Sequence, residues 1–245
     1  KAHRVVQELP AARDGGDVAT EEVPDDLAPQ AEAIGALIDA LGIARPGSAG
    51  FEADDAIGTL AARADGSVVI VSGDRDMVQL VSEDVHLLLA ANGGMDRWPL
   101  LDPAAVLDRF GVRPAQYCDL AVLRGDTSDG IPGVPGIGEK TAARLLTNAG
   151  SLRDLWSMLD TGHHPAWVTQ RQSTALLAHR DLVDRMQQVA TIRTDVPWTG
   201  SLEIPVGPAD VERLQALSAE WGVQRVVADL QAALTASRPS PPPRG

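Results

Sequence analysis

"GFEADDAIGTLAARADGSVVIVSGDRDMVQL", residues 50–80, is the stretch on which the fold turns. Its centre, SVVIVS, is a β-branched run bounded by Gly66 and Gly73, the pattern of a strand buried on both faces of a parallel sheet. Residues 54–64 ahead of it carry a helical pattern, so the stretch predicts a helix feeding a strand. Ligand loops of an open parallel sheet lie beyond the carboxyl ends of its strands. Asp74 and Asp76, with Arg75 between them, fall at that edge and project to one side if the segment is extended. Glu52, Asp54 and Asp55 stand where a loop enters the helix, a place the helix dipole also favours for carboxylates. Either cluster alone reads equally well as local structure: Asp54 and Asp55 as cap and first-turn residues, Asp74 as a turn residue after Gly73.

Outward from this stretch the chain changes texture. Residues 5–26 are polar, acidic and without a sustained period, an excursion rather than core. Residues 27–41 place Leu27, Ile34, Leu37, Ile38 and Leu41 at helical spacing before Gly42. VHLLLA, 85–90, repeats the buried-strand pattern. From Asp102 helices dominate: LDPAAVLDRFG has an Asp cap, Pro at the first helical position and a Gly stop. Further helices are predicted at 115–124, 139–149, 152–160 and about 174–189, 209–220 and 223–235. The fold class expected is α/β to residue 112, a helical module over 113–205, and C-terminal helices over 206–235 that pack back. Residues 236–245, rich in proline, read as a disordered tail.

A third acidic group, Asp126 and Asp129 in "RGDTSDGIPGVPGIGEKTAARLL", directly precedes a Gly-rich turn. Three Asp-rich loops beside buried elements repel one another unless countered, and hard divalent cations such as Mg²⁺ are the natural counter-ions for oxygen ligands. Two such ions about 3.5–4 Å apart would clamp a phosphodiester. The turn itself, Gly133 to Gly138 with Lys140 and Thr141, lets backbone amides point at a phosphate at a helix N-terminus; the alternative is a packing turn between helices that needs glycine for space. It is not a Walker A loop, because the spacing differs.

Bulk properties narrow the class. The net charge of −13 argues against an ordinary nucleic-acid binder unless bound cations reset the local field. One cysteine, Cys118, excludes an internal disulfide and a Cys-based zinc site, and reads as a small buried helix residue. No apolar run approaches the roughly 20 residues of a membrane span, and KAHRVVQELP lacks a signal-peptide core, so the expected compartment is cytoplasmic. Only two lysines, Lys1 and Lys140, stand against nineteen arginines. With aromatics at 3%, Trp98, Trp156, Trp167, Trp198 and Trp221 read as packing groups rather than stacking platforms, and the five histidines as structural or surface residues.

FEADD, VSGDRDM, LRGDTSDGIPGVPGIGEKTAARLL and SLRDLW, in this order and spacing, resemble the bacterial 5′→3′ exonuclease / flap endonuclease family, which includes stand-alone enzymes and the nuclease domain of DNA polymerase I. The resemblance implies a PIN-like parallel-sheet nuclease domain over 1–112 and a helix–three-turn–helix DNA-binding module. It implies Mg²⁺- or Mn²⁺-dependent hydrolysis of DNA at 5′ flaps and 5′ ends by two or more ions, in replication and repair, by a monomer. Glu52, Asp54 and Asp55 then match the first metal group and Asp74, Asp76, Asp126 and Asp129 the second. Lys1 and Arg4 match residues that contact the scissile phosphate, and 5–26 an arch that admits the single strand. Gly133, Gly136, Ile137, Gly138, Lys140 and Thr141 match the duplex-holding hairpin, which in the family also takes K⁺. The family carries two further metal-binding aspartates on strands ahead of KAHR. The expectation is therefore an N-terminally truncated chain, with a non-catalytic DNA-binding remnant or a fragment of DNA polymerase I as alternatives.

Overall fold

The computed structural model describes residues 27–162, 165–197 and 209–236, which separate into two compact units. Lys1, Arg4, the segment 5–26, His3, His163, His164, Trp198 and the proline-rich end lie outside the described residues. The larger unit runs from Ser48 and holds a three-stranded sheet, β1 (Val68–Ser72), β2 (Val85–Leu89) and β3 (Leu100–Leu101), in the order β1-β2-β3. β1 pairs parallel to β2, Val68 opposite Val85, and β2 pairs antiparallel to β3.

β1 departs from the expectation of burial on both faces. Ile70 is buried, but Val69 and Val71 are 56% and 58% exposed. β1 is the end strand of the described sheet, and only its inner face meets the core, so the run shows a two-residue alternation. β2 lies between two strands and buries Val85, Leu87 and Leu89. The segment after β1 is not extended either: Arg75–Leu80 is a 3-10 helix. Asp74 Oδ1 accepts the Asp76 N–H at 2.8 Å, and Ser72 Oγ accepts the Asp74 N–H at 3.0 Å. These side-chain acceptors divert the backbone from the ladder into a turn.

In the described part of the larger unit the helices are α2 (Ala53–Arg63), α3 (Pro103–Phe110), α4 (Tyr117–Arg124), α5 (Glu139–Ala149), α6 (Leu152–Asp160) and α7 (Gln170–Ala190). α3 starts and stops where its sequence says: Asp102 Oδ1 accepts the Ala105 N–H at 2.7 Å, and Gly111 takes φ +70°. α4 is buried from Tyr117 through Leu123, with α5, α7 and the 3-10 helix packed around it. Its Asp119 sits inside, accepting the Leu152 N–H that opens α6 at 2.9 Å and the Gln187 amide of α7. Burial pushes the Asp119 carboxyl above its ordinary range, and those two hydrogen bonds work against the shift. Cys118 is buried as expected, and Trp156 packs in the core with its Nε1–H on Asp184.

The second unit contains α1 (Leu27–Ala40), α8 (Val211–Trp221) and α9 (Gln224–Ala236). Ala40, Leu41, Leu214 and Val227 form its small core. Leu27 and Ile34 of the predicted stripe are instead 50% and 58% exposed, because the buried face of α1 runs through Ala33, Gly35 and Ala40. Trp221, expected as a packing group, is 39% exposed at the end of α8.

Candidate metal and nucleic-acid site

The acidic residues of the larger unit sit at the ends of three elements. Glu52 is the N-cap position of α2 but does not cap it with its side chain; its Oε1 is withdrawn from solvent. Asp54 and Asp55 occupy the first turn, and Asp55 Oδ1 accepts the Arg193 N–H at 2.9 Å. α2 packs on the 3-10 helix, whose N-cap is Asp74 and whose first turn holds Asp76, 7% exposed. The 3-10 helix in turn packs on α4, and Asp76 lies close enough for its charge to act on Tyr117 and Cys118.

Asp126 follows the C-terminus of α4, past Gly125, and pairs with Ile131 to close the 126–131 turn. Ser128 donates to Asp126 from both its hydroxyl and its N–H. Those bonds and the nearby Arg124 and Arg75 charges hold the Asp126 carboxyl below the usual carboxylate range against its partial burial. Arg124, 15% exposed, bridges Asp126 at 2.9 Å and Glu139 at 3.0 Å. Partial burial opposes the guanidinium charge, but pairing with Glu139, Tyr117 and Asp126 outweighs it and keeps Arg124 firmly protonated. Repulsion among the acidic loops is thus answered in part by a protein cation, Arg124, and not by metal ions alone. In the sequence Arg124 stands two residues before Asp126, while its other partner, Glu139, is 15 residues further on.

The oxygen donors suit a hard divalent ion, yet among the described residues no three His, Cys, Asp or Glu side chains gather into a group able to hold a metal. The 3-10 helix and the α4 loop bring Asp76 and Asp126 to neighbouring elements; Asp55 is engaged by Arg193, and Asp129 is half-buried in the 126–131 turn.

The glycine turn links α4 to α5. Val134 and Ile137 point into the core, with Val134 N–H on Leu123 O and Ile137 N–H on Val134 O, both at 2.9 Å. Ile137 therefore anchors the turn, while Pro135, Gly136, Gly138 and Lys140 are exposed and Thr141 is half-buried. Gly136 adopts φ +82°, and Gly138 is the N-cap position of α5. This places glycine backbone and a lysine at a helix N-terminus, an arrangement suited to an anion.

Two family models match in succession. One, described as 5′-3′ exonuclease, N-terminal resolvase-like domain, covers residues 1–111; the other, 5′-3′ exonuclease, C-terminal SAM fold, covers 112–212. A 5′-3′ exonuclease of Streptomyces coelicolor is 47% identical over 240 residues, 96% of this chain and 77% of that protein. One from Mycobacterium tuberculosis is 42% identical over 245 residues, 96% of this chain and 75% of its own length. DNA polymerase I of Mycobacterium leprae is 39% identical over 199 residues, 80% of this chain and 21% of the polymerase. The catalytic core of Rad2 in complex with DNA substrate superposes with a TM-score of 0.56 at 17% identity, covering 83% of this chain and 68% of the other; at that identity it speaks to fold alone. The fold is a PIN-like α/β nuclease domain joined to a helix–three-turn–helix module. By two consecutive domain matches over residues 1–212 and 47% identity across 96% of its length to a 5′-3′ exonuclease, this chain belongs to the 5′-3′ exonuclease family.

Proposed function

We propose that the chain is a structure-specific 5′→3′ exonuclease and flap endonuclease that hydrolyses DNA phosphodiesters during replication and repair. One observation carries this reading: a single unit presents carboxylates at the ends of α2, β1 and α4, and the last of these runs straight into the glycine turn of α5. Gly136, Gly138, Lys140 and Thr141 would meet the duplex backbone, which supplies shape recognition without base readout. Lys1 and Arg4 are assigned to the scissile phosphate on the strength of the motif alone.

The reading includes a requirement for Mg²⁺ or Mn²⁺, with K⁺ at the hairpin, and a cytoplasmic monomer. No described helix is long and apolar enough to cross a membrane. A duplex bearing a fluorescent 5′ flap tests it: cleavage with Mg²⁺ and none after chelation is the expected result. Asp126→Asn should lower kcat on the order of a hundredfold and leave DNA affinity nearly unchanged. Equal loss of turnover and affinity would contradict a catalytic role for Asp126. The engagement of Asp126 by the Arg124 guanidinium and of Asp55 by the Arg193 amide favours a second reading, a DNA-binding module without catalysis. DNA binding without cleavage under any divalent ion would establish it.

A further inference from the structure

The end of α7 is tied to both elements that carry the first two carboxylate groups. Gln79, on the 3-10 helix, uses both ends of its amide: Nε2 donates to Ala190 O at 2.9 Å and Oε1 accepts the Ile192 N–H at 3.3 Å. The chain then crosses to α2. Arg193 N–H donates to Asp55 Oδ1 at 2.9 Å, Val196 N–H donates to the Thr59 hydroxyl at 3.1 Å, and Arg63 reaches Val196 O at 3.5 Å. Thr59 is fully buried, so its hydroxyl meets the Val196 amide inside the protein.

Packing confirms the closeness. A Cβ on Gly58 would come within 2.8 Å of both Arg193 O and Ile192 Cγ2 and within 3.3 Å of Leu80 Cδ2. α2, the 190–196 strap and the 3-10 helix therefore meet where there is no room for a methyl group. The last carbonyls of a helix and the amides of an irregular strap need partners. Here the partners are side chains of the two carboxylate-bearing elements, 111 to 138 residues away in sequence.

We infer that Gln79 is a positioning residue for the nuclease reaction: through the 190–196 strap it sets the α2 carboxylates against those of the 3-10 helix and links their spacing to α7. The inference rests on the proposed function. Gln79 bonds to the strap rather than to the carboxylates, and it acts through the Arg193 N–H that fixes Asp55. A displacement of about 1 Å at reacting groups is enough to cost about a hundredfold in rate.

The test uses the full chain, a 5′-flapped duplex and a temperature well below melting. Gln79→Leu removes both amide bonds, and Thr59→Val removes the buried acceptor at nearly constant volume. Each should lower kcat at least about tenfold with KM within about twofold of the parent. Thr59→Ser, which keeps the hydroxyl, should restore turnover even if Gln79→Leu fails to fold. A fall in melting temperature with unchanged kcat, or a rise in KM matching the fall in kcat, overturns the inference. If the parent protein cleaves no DNA, the proposed function fails by itself, and amide exchange then decides the linkage. Faster exchange in Gln79→Leu at Ile192 and also at Arg193 and Val196, whose amides bond α2, supports it; faster exchange at Ile192 alone overturns it.

Discussion

Gly133 and Gly136 stand three residues apart in the same turn with similar backbone angles, φ +69° and +82°, and alanine at each should separate two costs. Forcing a side chain into left-handed backbone costs about 1–2 kcal/mol, and both sites share it. Alanine also stiffens the unfolded chain, offsetting about 0.4–1 kcal/mol at both. The surroundings differ. A Cβ at Gly133 would lie 2.6 Å from Arg124 O and from Gly125 N, whereas at Gly136 it would meet nothing within 4 Å. Those neighbours are main chain and cannot swing aside, so Gly133→Ala carries a further overpacking cost of about 1–3 kcal/mol. The expected difference between the variants is that same amount, about 2–12 °C in melting temperature for a domain of this size. Urea titrations followed by circular dichroism measure it as a midpoint shift at constant slope. The displaced main chain carries Arg124 and leads to Asp126, so Gly133→Ala should also depress flap cleavage. Gly136→Ala, at the exposed tip, should weaken DNA binding while carrying only the shared backbone cost. Equal destabilisation, or a larger loss at Gly136, would refute the argument from close approach.

Burial, partly offset by the Thr191 hydroxyl, pushes the Cys118 thiol up to about 11; a disulfide reagent should leave the folded protein unmodified through pH 9 and label it promptly in urea. Asp119 has a raised carboxyl pKa in the folded state, so the native protein binds more protons than the unfolded chain between the ordinary carboxylate pKa and the raised one. Its contribution to stability is therefore present on the acid side and is lost as pH rises through the folded pKa. Asp119→Asn should flatten that part of the stability–pH curve, and an unchanged slope would refute the assignment.

Local signals were legible where neighbours in sequence supply the partner. Asp102, Pro103 and Gly111 mark both ends of α3 because a cap, a fixed φ and a left-handed stop act within one turn. The start of α6 follows for the same reason, from Ser151, whose hydroxyl accepts the Asp154 N–H. The acidic residues were visible as candidates, and the ordered motifs pointed to the family. β3 was not foreseen, since two leucines carry no period, and the 3-10 helix replaced an extended segment because Asp74 and Ser72 bond locally.

The sequence by itself determined the family, the order of sheet and helices, and the placing of carboxylates and glycines at element ends. Those properties are written in spacing and short-range chemistry. Tertiary structure decided what each carboxylate meets: Arg124 for Asp126, the Arg193 amide for Asp55, a helix start and a glutamine for Asp119. It also decided that Val69 and Val71 face outward and that the Ile137 side chain packs into the core. The reason is distance along the chain. Asp55 and Arg193 are 138 residues apart, and no local pattern encodes a partner that folding alone brings within a hydrogen bond.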